Sequence, residues 1–344
     1  MHRRARASSR DCWCSSPESR KLLRVPQSTS QPGDTALVIT AAFREGLWRL
    51  ADPKISITSA ASMAIGAAWA ASDGYFSWFW VLLLGVAMFC MEVAKNAWGD
   101  VIDYDSGTDL AVAPEDRTPF SGGKRVMVDQ LLSRGQTWAI AFAFGGAGLA
   151  LGAVIVFWRE PAVFWPGVIA LVLGWSYHGP PLKLAYRGLG ELDVVLIYGP
   201  GIALCTFLML AGSVDTGVIR AALPLGLAIA AFLWVNEFPD YLADRGADKR
   251  NLVARLGRVR ASRVLPLIYL AAFATLAAQL GNGLLPTASA LGFIAALPAA
   301  GACFWCWREP ESFHRQRPVQ PLALLTFVLL SAGTTAGILL GRGA

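Results

Sequence analysis

The chain has 344 residues, of which 55% are hydrophobic and only 16% charged, with a formal net charge of +6. A soluble domain carries about a quarter charged residues, so this composition excludes an ordinary soluble enzyme, a disordered chain and a nucleic-acid-binding tail protein. The length suits one polytopic bundle, because each spanning helix takes roughly 20 apolar residues.

Residues 1–45 are polar and basic, with Arg3, Arg4, Arg6, Arg10, Arg20, Lys21 and Arg24 among Ser, Pro and Gln. No apolar run of signal-peptide length follows closely. This stretch is expected to be a disordered cytosolic tail able to lie on anionic lipid, with residues 46–344 forming the membrane domain. Nine apolar segments follow, at about 55–72, 77–94, 137–157, 162–177, 193–213, 219–236, 264–281, 284–306 and 320–341. They predict an all-α polytopic membrane protein of nine transmembrane helices. Outer-membrane strands would alternate and be about half as long. The first segment is rich in Ala and Ser, which suits close helix packing. The fifth contains Tyr198-Gly199-Pro200-Gly201, a break that a spanning helix tolerates when neighbours satisfy the freed backbone groups. Cys303 and Cys306 form a CxxC flanked by Phe304, Trp305 and Trp307, with no second Cys or His pair, and are read as packing residues.

Charge asymmetry sets the expected orientation. With the N-terminus cytosolic, 27 of the 30 Lys and Arg residues fall on the cytosolic side, and only Arg159, Arg220 and Arg342 fall opposite. The positive-inside rule supports that topology. The +6 charge is then topological rather than a nucleic-acid footprint.

Acidic residues carry no such topological signal, yet they cluster. Of 24, seven lie between Asp100 and Asp129 and four between Glu237 and Asp248. Both groups sit at the expected cytosolic end of a spanning segment. In the first, Asn96, Asp100 and Asp103 share one helical face. In the second, Asn236, Asp240 and Asp244 do the same. Bare carboxylates so placed would repel each other, and a hard divalent cation such as Mg²⁺ relieves this while also taking phosphate oxygens. Cations follow both clusters: Arg117, Lys124 and Arg125 after the first, Arg245, Lys249 and Arg250 after the second. Between them lie Tyr177, His178, Lys183, Tyr186 and Arg187. Two acidic cradles with cations around them describe a metal–diphosphate site. Gly122-Gly123 would let the backbone approach an anion. His178 is expected to cap a helix or lie at the interface, and Asp105, Asp116 and Asp129 to be solvated.

These residues resemble the UbiA-type intramembrane prenyltransferase superfamily, and most closely its 1,4-dihydroxy-2-naphthoate polyprenyltransferase branch. Three stretches carry the likeness: Asn96 to Asp109, the loop Tyr186-Arg-Gly-Leu-Gly190-Glu191, and Asn236 to Gly257 with its Lys249-Arg250-Asn-Leu-Val-Ala-Arg255-Leu-Gly257 tail. Gly99 stands where the family often has Asn or Asp. The resemblance implies nine helices around a central cavity, with Asp-rich motifs at the cytosolic side holding prenyl diphosphate through Mg²⁺. It assigns Asp100 and Asp103, with Asp109 assisting, to one metal, and Asp240 and Asp244 to the other. It assigns Lys124, Lys183, Tyr186 and Arg187 to the departing diphosphate. Asn96, Asn236, Arg117, Arg125, Tyr177, Lys249 and Arg250 would complete the substrate site. It further implies an enzyme of the bacterial inner membrane that moves a polyprenyl group to an aromatic acceptor, with membrane lipid as its surroundings. The alternatives are another acceptor (a different quinone precursor, a chlorophyllide, a glycerol phosphate or a carotenoid) or a membrane transporter. The carboxylates lie at one membrane face, whereas a transporter places its site near the midplane.

Overall fold

The computed structural model describes residues 40–341, all of whose regular elements are helical. The expected tail lies outside these residues except at its end. There α1 (Ala41–Ala51) begins, capped by the Thr40 hydroxyl, which accepts from the Phe43 amide at 3.1 Å. The helical chain therefore starts five residues before residue 46, and α2 (Pro53–Ser72) follows directly, with Pro53 opening its first turn.

The longest helix is α3 (Trp78–Asp105), which carries the first acidic cluster at its C-terminal end. It ends where Gly107 takes a left-handed φ of +81° and turns the chain back. A loop then leads to α4 (Arg134–Trp158), whose start is fixed by a capping box: Ser133 Oγ accepts from the Gln136 amide, and Gln136 Oε1 accepts from the Ser133 amide. Next comes α5 (Phe164–His178), then the interrupted pair α6 (Gly190–Leu196) and α7 (Ile202–Ala211). The interruption is the predicted break at residues 198–201. Gly199 has φ −95° and ψ −105°, and a Cβ there would lie 2.6 Å from Gly226 Cα. Small residues thus let two helices touch backbone to backbone. The Tyr198 carbonyl freed by the break accepts the Ser62 hydroxyl, as a membrane interior requires.

A short α8 (Thr216–Ala221) leads into α9 (Leu223–Gly246), which carries the second acidic cluster. This is the most enclosed span; Phe232, Trp234, Val235 and Phe238 are all buried. After it come α10 (Leu252–Leu256), α11 (Arg258–Gly281), a 3₁₀ stretch Thr287–Ala295 running into α12 (Ala296–Arg308), α13 (Phe313–Gln316) and α14 (Val319–Gly341). The glycines of α14 decide its packing: a Cβ at Gly333 or Gly337 would overlap the backbone at residues 289–292.

Eight of these helices or helix pairs are long and apolar enough to cross a membrane. The predicted segment 162–177 is the exception to the expected nine. It forms α5, which at 15 residues is shorter than a full bilayer span. Large apolar side chains point outward, with Phe142, Phe157 and Leu297 each more than 70% exposed. Such a surface suits lipid rather than water.

Candidate active site

The two acidic clusters, far apart in sequence, close on one cavity of about 880 Å³. Asp100, Asp103, Asp109, Asp240 and Asp244 all line it, with Asn96 and Asn236. Its apolar flank is built from α3, α4 and α5, where Met88, Gly152 and Leu173 face inward.

Each carboxylate is held by a different element. Asp100 Oδ1 accepts the Arg125 backbone N–H at 2.9 Å. Asp103 is the hub: it accepts from Tyr186 Oη at 2.8 Å and Lys249 Nζ at 3.2 Å, and His178 Nδ1 lies 3.4 Å away. Asp109 returns beside them after the turn at Gly107. Asp240 Oδ2 accepts the Gly122 backbone N–H at 3.1 Å. Asp244 Oδ2 accepts from Asn251 Nδ2 at 2.7 Å, while Asn251 Oδ1 caps α10 through the Ala254 amide. Lys249 Nζ also lies 3.7 Å from Asp244 Oδ1, so one ammonium joins the two clusters. The loop at 121–125 joins them a second time. Its amides serve Asp240 at one end and Asp100 at the other, and between them Gly123 (φ +73°) sits against the Asp109 carboxylate. The anions that Gly122-Gly123 approach are thus the protein's own.

Burial raises the Asp109 pKa well above the usual carboxylate value, and the charges of Asp103 and Asp100 add to it. Burial pulls the Lys249 ammonium down, but Asp103 and Asp244 outweigh this and hold it above its ordinary value. Tyr186 is pushed up to about 12, by burial first and then by Asp103.

Within the two aspartate clusters, four buried oxygens have no hydrogen-bond donor: Asp100 Oδ2, Asp109 Oδ2, Asp240 Oδ1 and Asp244 Oδ1. Anionic oxygens so placed fit a divalent cation. Among the described residues, no three His, Cys, Asp or Glu side chains gather around one point as a metal site. Carboxylate oxygens are hard ligands of the kind Mg²⁺ takes.

The expected cations divide. Lys124 lines the cavity and pairs with Asp52, and burial lowers its pKa. Tyr177 and Lys249 also line it. Arg125 works through its backbone; its guanidinium reaches Asp129 Oδ1 at 3.0 Å and the Asp109 carbonyl at 3.4 Å. Tyr186 stands behind Asp103 rather than on the cavity wall. Lys183 Nζ sits 5.1 Å above the Tyr186 ring. Arg187 is exposed and donates to the Pro181 carbonyl. Arg250 is exposed and pairs with Asp248, and Arg117 is exposed. None of Lys183, Arg187, Arg250 and Arg117 lines the cavity. The Asn96 amide donates to the Leu50 carbonyl at 2.8 Å, and Asn236 Oδ1 accepts from Gln320 at 2.9 Å, so both asparagines also tie helices together.

Two expectations are corrected. His178 lines the cavity beside Asp103, and a Cβ at Gly99 would come within 3.2 Å of its ring. The small residue at 99 makes room for the imidazole. Asp116 is buried, accepting from His314 Nε2 at 2.8 Å and Arg315 Nη2 at 2.7 Å. It pins the loop after α3 to α13. Asp105 and Asp129 are ion-paired, with Arg134 and with Arg49 and Arg125 respectively.

The charge count places Lys95 in a cytosolic loop. The structure places it inside α3, on the cavity wall with Glu92 and Asp193. Continuing the three-and-four spacing of Asn96, Asp100 and Asp103 back by one turn reaches Glu92, with Lys95 beside Asn96.

Residues 60–332 match the UbiA prenyltransferase family. The chain belongs to the UbiA prenyltransferase family. It is accordingly a prenyltransferase and an integral membrane protein. The 2-carboxy-1,4-naphthoquinone phytyltransferase of Synechocystis sp. is 27% identical over 246 residues, 70% of this chain and 73% of that protein. The 1,4-dihydroxy-2-naphthoate octaprenyltransferase of Mycobacterium tuberculosis is 28% identical over 254 residues, 74% of each chain. The enzyme of the same name from Haemophilus influenzae is 26% identical and covers 86% of this chain and 96% of its own. Among solved structures, the apo UbiA homologue from Aeropyrum pernix K1 superposes with a TM-score of 0.62 at 19% identity, over 80% of this chain and 96% of that one. A UbiA homologue from Archaeoglobus fulgidus, bound to DMAPP and Mg²⁺, gives 0.53 at 17% identity, over 85% and 97%. These two share the fold of this UbiA-family chain.

Proposed function

We propose that this UbiA-family enzyme transfers a polyprenyl group from prenyl diphosphate to 1,4-dihydroxy-2-naphthoate, in an Mg²⁺-dependent reaction of menaquinone biosynthesis. The observation that carries this reading is the closure of two acidic clusters on one cavity, with four buried oxygens of their aspartates lacking donors. The naphthoate acceptor rests on the names of the relatives. The setting we propose is a bacterial inner membrane, N-terminus and acidic end cytosolic, following the Lys and Arg asymmetry.

Asp100, Asp103 and Asp109 would hold one metal and Asp240 and Asp244 the other, and when bound these neutralise phosphate oxygens and make diphosphate a better leaving group. Lys249 and Lys124 place positive charge at the same end of the cavity. Tyr186 and His178 keep Asp103 in position. The allylic C–O bond breaks and its electron pair leaves with the diphosphate. The apolar flank excludes water that would capture the prenyl cation. Trp98 and Tyr177 line the cavity, and their aromatic rings would stabilise that cation. The naphthoate ring carbon attacks, and loss of the carboxylate as CO₂ restores the aromatic ring.

The test supplies purified protein with labelled geranylgeranyl diphosphate, Mg²⁺ and dihydroxynaphthoate. A prenylated naphthoquinol formed by the wild type, and not by the Asp100→Ala, Asp240→Ala double variant, is expected. Mg²⁺-dependent diphosphate release without that product would refute the acceptor, and no diphosphate binding at all would refute the site.

A further inference from the structure

Toward the interior of the same cavity lies a second polar group that the diphosphate chemistry does not use. Lys95 is five residues before Asp100 on α3, which sets it about 7.5 Å deeper along the helix axis. Glu92, Asp193 and Tyr198 share that part of the wall. Glu92 Oε1 accepts the Ser59 hydroxyl, and its charge acts on Lys95 without touching it. Lys95 Nζ makes a single hydrogen bond among the described residues, to Tyr198 Oη at 3.3 Å, and no carboxylate lies within 4 Å of it. A lysine ammonium has three donors, so this one keeps donors to spare on a cavity wall. Asp193 is 5% exposed and its Oδ1 has no donor. Inside a membrane protein, an incompletely partnered cation and an incompletely partnered carboxylate are costly, and they mark a ligand site.

The two needs are opposite. Lys95 has no carboxylate in contact, although the charges of Glu92 and Asp193 act on it, and Asp193 Oδ1 lacks a hydrogen-bond donor. One aromatic molecule bearing both a carboxylate and a hydroxyl satisfies both. We propose that Lys95 and Asp193 form the acceptor subsite: Lys95, steadied by Tyr198, takes the acceptor's carboxylate, and Asp193 accepts the hydrogen bond of its ring hydroxyl. The subsite selects hydroxylated aromatic acids over neutral acceptors. It lies below the carboxylate clusters, so the ring would meet the prenyl carbon from the interior side. This rests on the prenyl-transfer reading of the site and deepens it by naming the features of the acceptor that the protein reads.

The test measures binding, so it does not depend on turnover. Full-length protein in detergent is titrated with 1-hydroxy-2-naphthoate, its carboxamide and its 1-methoxy counterpart. A hydrogen bond to a charged group contributes about 1.5–3 kcal/mol, or about 10- to 150-fold in affinity. Lys95→Met should therefore weaken the acid by at least about 10-fold while moving the carboxamide by less than about 3-fold. Lys95→Arg should recover part of the loss, which also separates the charge from any folding defect in the Met variant. Asp193→Ala should abolish the preference for hydroxyl over methoxy. Equal losses for acid and amide, or none for either, would overturn the proposal. So would a Lys95→Met variant whose KM rises for the prenyl diphosphate and not for the acceptor, because Lys95 would then serve the diphosphate. If acid binding follows Lys95 but the wild type makes no prenylated naphthoquinol, the naphthoate reading fails and the subsite stands.

Discussion

Replacing Asp103 by Asn should reveal how tightly the two halves of the site are coupled. Asp103 takes a hydrogen bond from Tyr186 and one from Lys249, with His178 close by. The Asn side chain keeps the shape and loses the charge. Lys249 is then left buried with Asp244 at 3.7 Å as its remaining carboxylate. Breaking a buried ion pair by removing one partner costs about 3–5 kcal/mol, because the other charge stays uncompensated. Since Asp244 stays within reach, the lower end, about 3 kcal/mol, is expected. At roughly 2–4 °C per kcal/mol for a large domain, the thermal midpoint in detergent should fall by about 6–12 °C. Lys249→Met alone should also destabilise, by leaving Asp103 and Asp244 facing each other without their shared cation. The double variant removes charge from both sides. It should be more stable than the sum of the single effects predicts, by at least about 1.5 kcal/mol, the scale of one charge-assisted hydrogen bond. The assay is tryptophan fluorescence during heating of all four proteins, without metal or substrate. Additivity within about 0.5 kcal/mol, the behaviour of independent sites, would refute the coupling.

Two further predictions concern the loop after α3. Gly123→Ala should lower prenyl transfer by at least about 10-fold while leaving the protein folded, because its Cβ would meet the Asp109 carboxylate and φ is +73°; steady-state kinetics and gel filtration check this, and wild-type kcat/KM would contradict it. Burial holds His314 below its ordinary pKa of 6.5, so below about pH 6.5 the unfolded chain takes up a proton that the folded chain takes up only at lower pH. Stability present above that pH should be lost on acidification, by at most about 1.4 kcal/mol per pH unit for this one group. Asp116, held low because the hydrogen bonds of His314 and Arg315 outweigh its burial, adds its loss only below about pH 4. Thermal midpoints from pH 7.5 to 5 should therefore slope less in His314→Gln than in the wild type, and equal slopes would contradict this.

The spans and the acidic clusters were legible because each has a periodic signal: apolar runs of membrane length, and Asn and Asp at three-and-four spacing. The partner of each carboxylate was not. Asp103 meets Tyr186 and Lys249 only because α3, the loop after α5 and the end of α9 converge, and local spacing says nothing about that. Lys95 shows how a sound rule can mislead. A lysine near a helix end adds to a loop count, yet this one sits on the helical face that the aspartates define and turns into the cavity. Asp116 went the same way, since a loop aspartate is ordinarily solvated and this one is held by His314 and Arg315, and His178, expected as a cap or interfacial residue, lies on the cavity wall 3.4 Å from Asp103. Segment 162–177 had the composition of a span but yields only 15 helical residues.

The central claim, that both acidic clusters hold one metal–diphosphate unit, is tested most directly by Mn²⁺ in place of Mg²⁺. Electron paramagnetic resonance of the purified protein would count bound Mn²⁺ with and without an unreactive prenyl thiolodiphosphate. If the two clusters share one metal–diphosphate unit, Mn²⁺ should bind weakly alone and tightly with the diphosphate analogue, whose oxygens complete its coordination. That tight binding should be lost in Asp100→Asn and in Asp240→Asn alike. Tight Mn²⁺ binding without the diphosphate, or binding that survives either substitution, would contradict the account.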